Sequence, residues 1–180
     1  MPLEYVEGNI LEAKTQVVVN TVNCKGVMGK GLALEFKKKY PEMYKEYKKA
    51  CDEGKLRIGV VLPPYKVSEQ RWILNFPTKN DWRFKSKLEY IESGLVYFTE
   101  KYREWGIKSI AFPRLGCQLG GLSWKDVKPI MTHHLENLPD LKVSVYSYRP
   151  RERKKQKKGK LKRKKLASAK FPKSQQKLTF

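Results

Sequence analysis

The feature that most constrains this chain is an abrupt change from a β-branched run to a glycine-rich segment that leads into a helix. Three valines at 17–19 predict a buried strand, glycines are frequent across 26–31, and a helical pattern begins at Leu32. Glycine lets backbone N–H groups approach an anion closely, and a helix start adds the positive end of its dipole. The segment therefore predicts a site for a phosphorylated ligand, in which Asn20 and Asn23 would hydrogen-bond ribose hydroxyls.

Two better-known phosphate-binding motifs do not fit this segment. It lacks the consecutive Gly-Lys-Ser/Thr of a nucleotide triphosphate loop, and its glycines at 26, 29 and 31 do not follow the dinucleotide-binding order Gly-x-Gly-x-x-Gly. A plain turn is the alternative interpretation of a single glycine-rich segment.

A second glycine-rich loop follows another apolar run. The run 109–112 leads into Pro113, and glycines at 116, 120 and 121 precede a helical pattern that Ser123 is expected to cap. Two such loops at the carboxyl ends of strands can close over one diphosphate from both sides. The pair strengthens the prediction of a nucleotide-type ligand, although two unrelated turns would give the same pattern.

The order of strand-like and helical patterns indicates the fold class. Short apolar runs alternate with segments whose apolar residues recur every three or four positions. We predict strands at 3–6, 16–22, 58–62, 72–76, 109–112 and 143–148, and helices at 32–40, 42–53, 85–105 and 123–135. This alternation predicts an α/β sandwich built as one domain.

Lys79 is a candidate either for contact with a phosphate or for nucleophilic chemistry. It closely follows the apolar run 72–76 and Pro77, so it would lie at the end of a strand. A lysine amine becomes nucleophilic only when desolvation or nearby positive charge lowers its pKa, which a cleft beside Lys30 and Arg83 would provide. In a chain with 39 Lys and Arg residues, a solvated surface lysine is the competing interpretation.

Histidine and cysteine give no sign of a metal site or a disulfide framework. His133 and His134 are adjacent on a predicted helix, so their side chains point about 100° apart rather than toward one ion. Cysteines at 24, 51 and 117 lack Cys-x-x-Cys spacing, which favours a reducing, cytoplasmic location. The sequence contains no stretch typical of a membrane span or secretory signal. We expect no cofactor.

Four separated motifs resemble those of the macrodomain family, whose members bind ADP-ribose. They are the segments 8–11 (Gly-Asn-Ile-Leu), 20–23 (Asn-Thr-Val-Asn), 26–31 (Gly-Val-Met-Gly-Lys-Gly) and 113–124 (Pro-Arg-Leu-Gly-Cys-Gln-Leu-Gly-Gly-Leu-Ser-Trp). The resemblance implies a three-layer α/β/α sandwich with a central mixed sheet over residues 1–148. The Asn-Phe-Pro-Thr-Lys segment that ends at Lys79 is similar to the DNA ADP-ribosyl glycohydrolases of the DarG antitoxin type.

The resemblance also implies an activity and a set of site residues. That branch removes ADP-ribose from thymidine in DNA, which would make this chain a hydrolase whose catalytic Lys79 acts at the anomeric carbon of the distal ribose. Asn9 and Ile10 would border the adenine pocket. The loops that hold the distal ribose and the diphosphate would contain Asn23, Gly29, Lys30, Gly31, Gly116, Cys117, Gln118, Leu119 and Gly120.

Two positions depart from the family's usual pattern. Gln118 stands where a glycine is common, and its side chain would either crowd the diphosphate loop or donate to a phosphate oxygen. Related protein-directed glycohydrolases have an acid in the second loop where this chain has Gly120 and Gly121, which favours the DNA-directed branch. The alternatives are a module that binds ADP-ribose without hydrolysing it and a hydrolase of ADP-ribosyl-glutamate on proteins.

Residues 149–180 form a basic tail that we expect to be disordered and to bind DNA. The tail holds 15 of the 39 Lys and Arg residues and one of the 18 acids, Glu152, so it carries two thirds of the net charge of +21. Such a tail would tie the protein to the nucleoid, whereas a solubilising or RNA-binding tail is the alternative.

The last residues of the tail and the family resemblance suggest protein partners. Gln175, Leu178 and Phe180 resemble the anchors of a shortened sliding-clamp-binding box, which would bind a clamp such as PCNA. The resemblance to antitoxins also implies a DNA ADP-ribosyltransferase toxin as partner. A stand-alone role in DNA repair is the alternative to that antitoxin role.

Overall fold

A computed structural model describes residues 3–148, which form a six-stranded sheet between two layers of helices. The elements are β1 (Glu4–Gly8), a short 3₁₀ helix (Ile10–Glu12), β2 (Val17–Asn23), α1 (Gly31–Lys39), α2 (Pro41–Asp52), β3 (Tyr65–Ser68), β4 (Arg71–Lys79), α3 (Leu88–Lys101), β5 (Ser109–Pro113), α4 (Trp124–Leu135) and β6 (Lys142–Tyr148). The predicted tail and its clamp-binding box lie outside the described residues.

The sheet is mixed, with the strand order β1-β6-β5-β2-β4-β3. All neighbours pair in parallel except β3, which is antiparallel to β4 at one edge. The carboxyl ends of five strands therefore lie at one edge of the sheet, where ligand sites of α/β folds form. This arrangement confirms the predicted three-layer α/β/α sandwich with a central mixed sheet.

Each face of the sheet has its own hydrophobic core. Alternate residues of β2 point to opposite faces, as the two-residue period of a strand requires. Val17 and Val19 pack in the cluster with the helices α3 and α4, whereas Val18 and Val22 pack in the cluster with α1 and α2. Burial on both faces explains why β2 appears in the sequence as a continuous apolar run rather than an alternating one.

The predicted strand at 58–62 is wrong. This segment makes only an isolated bridge between Arg57 and Val60, and Gly59 has a φ of +78°. Val61 is fully buried in the core, so the apolar character of the segment reflects packing rather than strand pairing. Two prolines that lack N–H donors follow at 63–64 and discourage a ladder.

One further element and several boundaries differ from the sequence prediction. The edge strand β3 was not predicted, because its alternation of apolar and polar residues extends over only four positions, and β4 extends to Lys79 rather than ending at 76. The long helix spans Leu88–Lys101 rather than 85–105, since Lys87 is extended at its start and a turn follows at its end. Ser123 caps α4 as predicted, with its side chain accepting a hydrogen bond from the Lys125 N–H.

None of the helices within residues 3–148 is long and apolar enough to cross a membrane.

Candidate functional site

A cavity of about 670 Å³ opens at the carboxyl edge of the sheet. Its wall runs from Lys79 in β4, past Asn23 in β2 and Pro113 in β5, to Ser147 in β6. Four neighbouring strands at a spacing of about 4.8 Å give an elongated site about 14 Å across. This volume is within the range of pockets that bind small-molecule ligands and cofactors.

Asn23 shapes the first glycine-rich loop. Its Oδ1 accepts hydrogen bonds from the N–H groups of Lys25 at 2.9 Å and Val27 at 3.3 Å, and its Nδ2 donates to the Val27 carbonyl at 2.6 Å. The Tyr47 hydroxyl donates to the Asn23 carbonyl at 2.7 Å. The side chain of Asn23 lines the cavity while it holds this loop in its turn.

The start of α1 faces the cavity and can accept an anion. Gly29, Lys30 and Ala33 line the cavity, and the first hydrogen bond of the helix joins the Leu34 N–H to the Lys30 carbonyl. Amides before that bond have no partner within the helix. Lys30 occupies the N-cap without a side-chain cap. The helix start therefore offers N–H donors and positive potential to a phosphate.

The second loop closes into a tight ring around its glycines. The Leu122 N–H donates to the Gly116 carbonyl at 3.0 Å, and the Ser86 N–H donates to the Gly120 carbonyl at 2.9 Å. A Cβ on Gly120 would overlap the Gly116 carbonyl oxygen, and Gly116 itself has a φ of +69°. Only glycine fits both positions, which explains their spacing in the sequence.

The two loops meet over the cavity at Leu119. This side chain is 60% exposed, and a Cβ on Gly31 would lie 2.9 Å from its Cδ1. The Leu119 carbonyl accepts a hydrogen bond from Lys79 Nζ at 2.6 Å. Leu119 thus spans from the start of α1 to the end of β4.

Lys79 lies in the cavity wall, where burial lowers the pKa of its amine below the ordinary value. The Lys79 carbonyl accepts a hydrogen bond from the Cys24 N–H at 3.1 Å, which fixes its backbone beside β2. Desolvation is the cause of the lowered pKa. The nearby Arg83 is paired with a carboxylate, so its charge does not act on the amine alone.

That carboxylate belongs to Asp81, which is 5% exposed. Its Oδ1 accepts from Arg83 Nε at 3.0 Å, and its Oδ2 accepts from Arg83 Nη2 at 2.7 Å. Hydrogen bonds from the Arg83 side chain and backbone lower the pKa of Asp81 to about 2. Asp81 was not predicted as part of the site. An aspartate just after a strand is nevertheless a recognisable turn signal, because its side chain often accepts a hydrogen bond from the backbone two residues later.

Most of the predicted site residues gather in this cavity. Those that line it are Asn23, Gly29, Lys30, Lys79, Gly116, Cys117, Gln118, Leu119 and Gly120. Burial raises the pKa of the Cys117 thiol to about 11, so a thiolate nucleophile is disfavoured there.

Four predicted residues do not line the cavity, namely Asn9, Ile10, Asn20 and Gly31. Asn9 caps the 3₁₀ helix by accepting from the Leu11 N–H at 3.1 Å, and Ile10 is fully buried. Asn20 is also fully buried, and its Nδ2 donates to Asn75 Oδ1 at 3.0 Å. Its Nδ2 is therefore engaged within the fold, whereas its buried Oδ1 has no hydrogen-bond partner among the described residues.

Several lining residues were not anticipated from the sequence. Thr21, Trp82, Trp124 and Ser147 face the cavity, and they come from β2, the segment after β4, the start of α4, and β6. Trp82 follows Lys79 by only three residues, so its proximity was available from the sequence. Ser147 was not, because only the strand order brings β6 to this site.

The family model for the Macro domain matches residues 19–131, a span that includes both glycine-rich loops and Lys79. The chain belongs to the macrodomain family. This membership confirms the resemblance inferred from the four sequence motifs. Residues from three of the four motifs, at 20–23, 26–31 and 113–124, line the cavity of this macrodomain.

This macrodomain is similar to the DNA ADP-ribosyl glycohydrolase of Mycobacterium tuberculosis, with 45% identity over 146 residues, which is 80% of this chain and 42% of the relative. Among solved structures, it matches the macrodomain of Thermus aquaticus DarG with 44% identity and a TM-score of 0.76, covering 81% of this chain and 98% of that chain. Thermosipho africanus DarTG in complex with ADP-ribose matches with 37% identity and a TM-score of 0.74, covering 81% of this chain and 41% of that chain. The chain thus spans less than half the length of the curated relative.

Proposed function

We propose that this macrodomain is a hydrolase that removes ADP-ribose from thymidine in DNA. The observation that carries the proposal is the position of Lys79, whose desolvated amine lies in the cavity wall between two anion-binding glycine-rich loops. Similarity to the DNA ADP-ribosyl glycohydrolase and to the ADP-ribose complex supports this choice of substrate.

The loops would hold the diphosphate and orient the distal ribose toward Lys79. Backbone N–H groups at the start of α1 and in the ring from Gly116 to Gly120 would donate to phosphate oxygens. The elongated cavity would then place the adenosine half toward Ser147 in β6 and the distal ribose toward β4. Binding energy from the nucleotide would thereby position the reacting carbon.

Lys79 would act at the anomeric carbon of that ribose. In nucleophilic attack, the Nζ lone pair forms a bond to this carbon while the bond to thymine breaks, and the bonding electrons leave with the base, which takes up a proton. Water then displaces the lysine and releases ADP-ribose. A neutral amine also suits the alternative electrostatic role, because a permanent cation would oppose the positive charge that develops at this carbon.

A second candidate function is binding of ADP-ribose without turnover. The observation that favours it is the hydrogen bond from Lys79 Nζ to the Leu119 carbonyl at 2.6 Å, which engages the amine within the protein. The second loop also has glycines at 120–121, where related protein-directed enzymes have an acid.

Release of ADP-ribose from a thymidine-modified single-stranded oligonucleotide tests the proposal. Lys79→Ala should abolish release while ADP-ribose affinity, measured by calorimetry, stays near that of the wild type. Lys45→Ala, which alters an exposed lysine on α2, is the matched control and should leave release unchanged. No release by the wild type, with ADP-ribose still bound, would favour the binding module. Release only from an ADP-ribosyl-glutamate peptide would instead indicate a protein-directed hydrolase.

The chemistry also requires an enzyme that attaches the ADP-ribose, so we propose a DNA ADP-ribosyltransferase as functional counterpart. The basic segment 149–180 would hold the protein on DNA through its lysines and place it at the nucleoid. A sliding clamp remains a proposed partner of the segment that ends at Phe180. Loss of clamp capture on changing Gln175, Leu178 and Phe180 to alanine would test that interaction.

A further inference from the structure

We propose that residues 82–87, the docking strip, bind the single-stranded DNA that flanks the modified base. This inference rests on the proposed function, since it concerns how the DNA part of the substrate is held. The strip begins three residues after the end of β4 at Lys79 and has the sequence Trp-Arg-Phe-Lys-Ser-Lys. Three observations carry it: exposed aromatic rings, a rigid turn, and a local excess of positive charge.

The strip exposes two large aromatic side chains beside the cavity. Trp82 is 54% exposed and Phe84 is 67% exposed, and Trp82 also lines the cavity wall together with Lys79. Clustered apolar exposure of this kind marks binding surfaces in soluble proteins. Exposed rings are the platforms on which unpaired bases stack.

A buried carboxylate holds the backbone turn that carries these rings. The Asp81 carbonyl accepts from the Phe84 N–H at 3.2 Å, which closes a turn with Trp82 and Arg83 at its tip. Asp81 Oδ1 accepts from the Arg83 N–H at 2.9 Å, and its carboxylate also holds the Arg83 side chain. The turn is therefore ordered before binding, which lowers the entropic cost of stacking.

Charge on the strip complements a phosphate backbone. Lys85 and Lys87 are exposed, and residues 82–87 contain no acid. Arg83 is held by Asp81 but remains largely exposed, with 63% of its side chain accessible. Cations spaced between aromatic rings match the alternation of phosphates and bases along a single strand.

The position of the docking strip relative to Lys79 favours single-stranded DNA over other partners. A base attached at the anomeric carbon near Lys79 must leave the cavity where β4 ends, and the strip begins three residues beyond. The flanking nucleotides would therefore pass over Trp82 and Phe84. A duplex keeps its base faces stacked, and an acidic peptide lacks the flat rings that two aromatic side chains favour.

Phe84→Ala is the decisive variant because Phe84 belongs to the strip but does not line the cavity. The experiment compares KM for a modified oligonucleotide of about ten nucleotides, within the range of single-strand site sizes, with KM for ADP-ribosyl-thymidine alone. Phe84→Ala should raise KM for the oligonucleotide about tenfold, the effect of losing one stacked base, and leave KM for ADP-ribosyl-thymidine unchanged. Val67→Ala, an exposed apolar residue on β3, is the matched control and should change neither value.

The lysines are tested by salt dependence. Replacing Lys85 and Lys87 with alanine should lower the slope of log KM against log salt concentration by about 1.4, or 0.7 for each lost phosphate contact. Lys45→Ala on α2 serves as the control. The proposal that the strip binds DNA would be overturned if Phe84→Ala left KM for the oligonucleotide unchanged. It would also be overturned if the variant raised KM equally for the oligonucleotide and for ADP-ribosyl-thymidine.

Binding of an unmodified single strand, measured by fluorescence anisotropy, separates this proposal from the proposed function. If the wild type releases ADP-ribose from neither substrate, the hydrolase proposal fails, and weaker binding by Phe84→Ala still supports the strip. Equal affinity of the wild type and Phe84→Ala for the unmodified strand overturns the proposal that the strip binds DNA. A Phe84→Ala defect confined to duplex DNA, RNA or an acidic peptide also overturns the assignment to single-stranded DNA.

Discussion

Two features of Lys79 bear on its reactivity. Partial burial lowers the pKa of its amine, and its Nζ donates to the Leu119 carbonyl at 2.6 Å. In the proposed reaction, ligand entry would exchange this hydrogen bond for contacts with the distal ribose. The proposed reactivity would therefore depend on both protonation and displacement of the amine.

The lowered pKa gives a pH prediction. If the neutral amine acts, kcat/KM should rise about tenfold per pH unit up to the pKa of Lys79 and then level off. Because burial depresses this pKa, the rise should be centred below the ordinary value of 10.5. A pH-rate profile of the wild type measures it, and Lys79→Arg should remove the rise because arginine stays charged. A rate that falls with rising pH over the same range would contradict the neutral-amine role.

At the level of elements, the close contact of α3 with β4 depends on Gly94. A Cβ at this position would overlap the Phe76 ring, which is fully buried in the core. The absence of a side chain lets the helix lie close to the strand that ends at Lys79. The packing of α3 thus supports the backbone that carries the proposed catalytic residue.

Gly94→Ala should therefore destabilise the protein. Overpacking costs about 1–3 kcal/mol, and replacing glycine with alanine inside a helix regains about 1 kcal/mol, so the net loss of stability should be up to about 2 kcal/mol. Val96→Ala on the same helix, at a position 41% exposed, should change the free energy of unfolding by less than about 0.5 kcal/mol. Urea denaturation of both variants measures the difference. A Gly94→Ala protein at least as stable as the wild type would show that Phe76 can move aside.

The elements that sequence predicted correctly are those with a repeating apolar pattern. In the long helix, the apolar residues at 91, 95 and 98 recur at three- and four-residue steps and are buried, whereas Leu88 at the start of this pattern is exposed. The valines of β2 form a buried strand, as predicted. The strand expected at 58–62 failed because core packing gave an apolar segment without a ladder. Residue periodicity identified neither Asp81 nor Ser147. A turn places Asp81 against Arg83, which lines the cavity, and the strand order places Ser147 in the cavity wall; periodicity encodes neither arrangement.

On the scale of the whole molecule, we expect the macrodomain and the basic segment to have separate tasks. The described residues 3–148 contain both hydrophobic cores and the residues named above that line the cavity. The segment 149–180 contains 15 basic residues and one acid. Folding and ligand binding should therefore depend on residues 3–148, whereas attachment to DNA should depend on both segments.

Truncation after Tyr148 tests this division. The truncated protein should keep the Tm of the full chain and its kcat on ADP-ribosyl-thymidine. Its affinity for an oligonucleotide should fall, with a smaller dependence on salt because fewer phosphates are neutralised. Differential scanning calorimetry and anisotropy titrations at several salt concentrations measure both effects. An identical salt dependence in the two proteins would exclude the segment from DNA binding.

The direction of β6 has a consequence for how such a segment can act. β6 runs parallel to its neighbours, and Ser147 near its end lines the cavity, so the chain leaves the sheet at the edge where the cavity opens. In the sequence, the segment 149–180 is continuous with this end of β6. If the segment binds DNA as proposed, the bound DNA would reach the cavity by an intramolecular search, at a high effective concentration rather than that of free DNA.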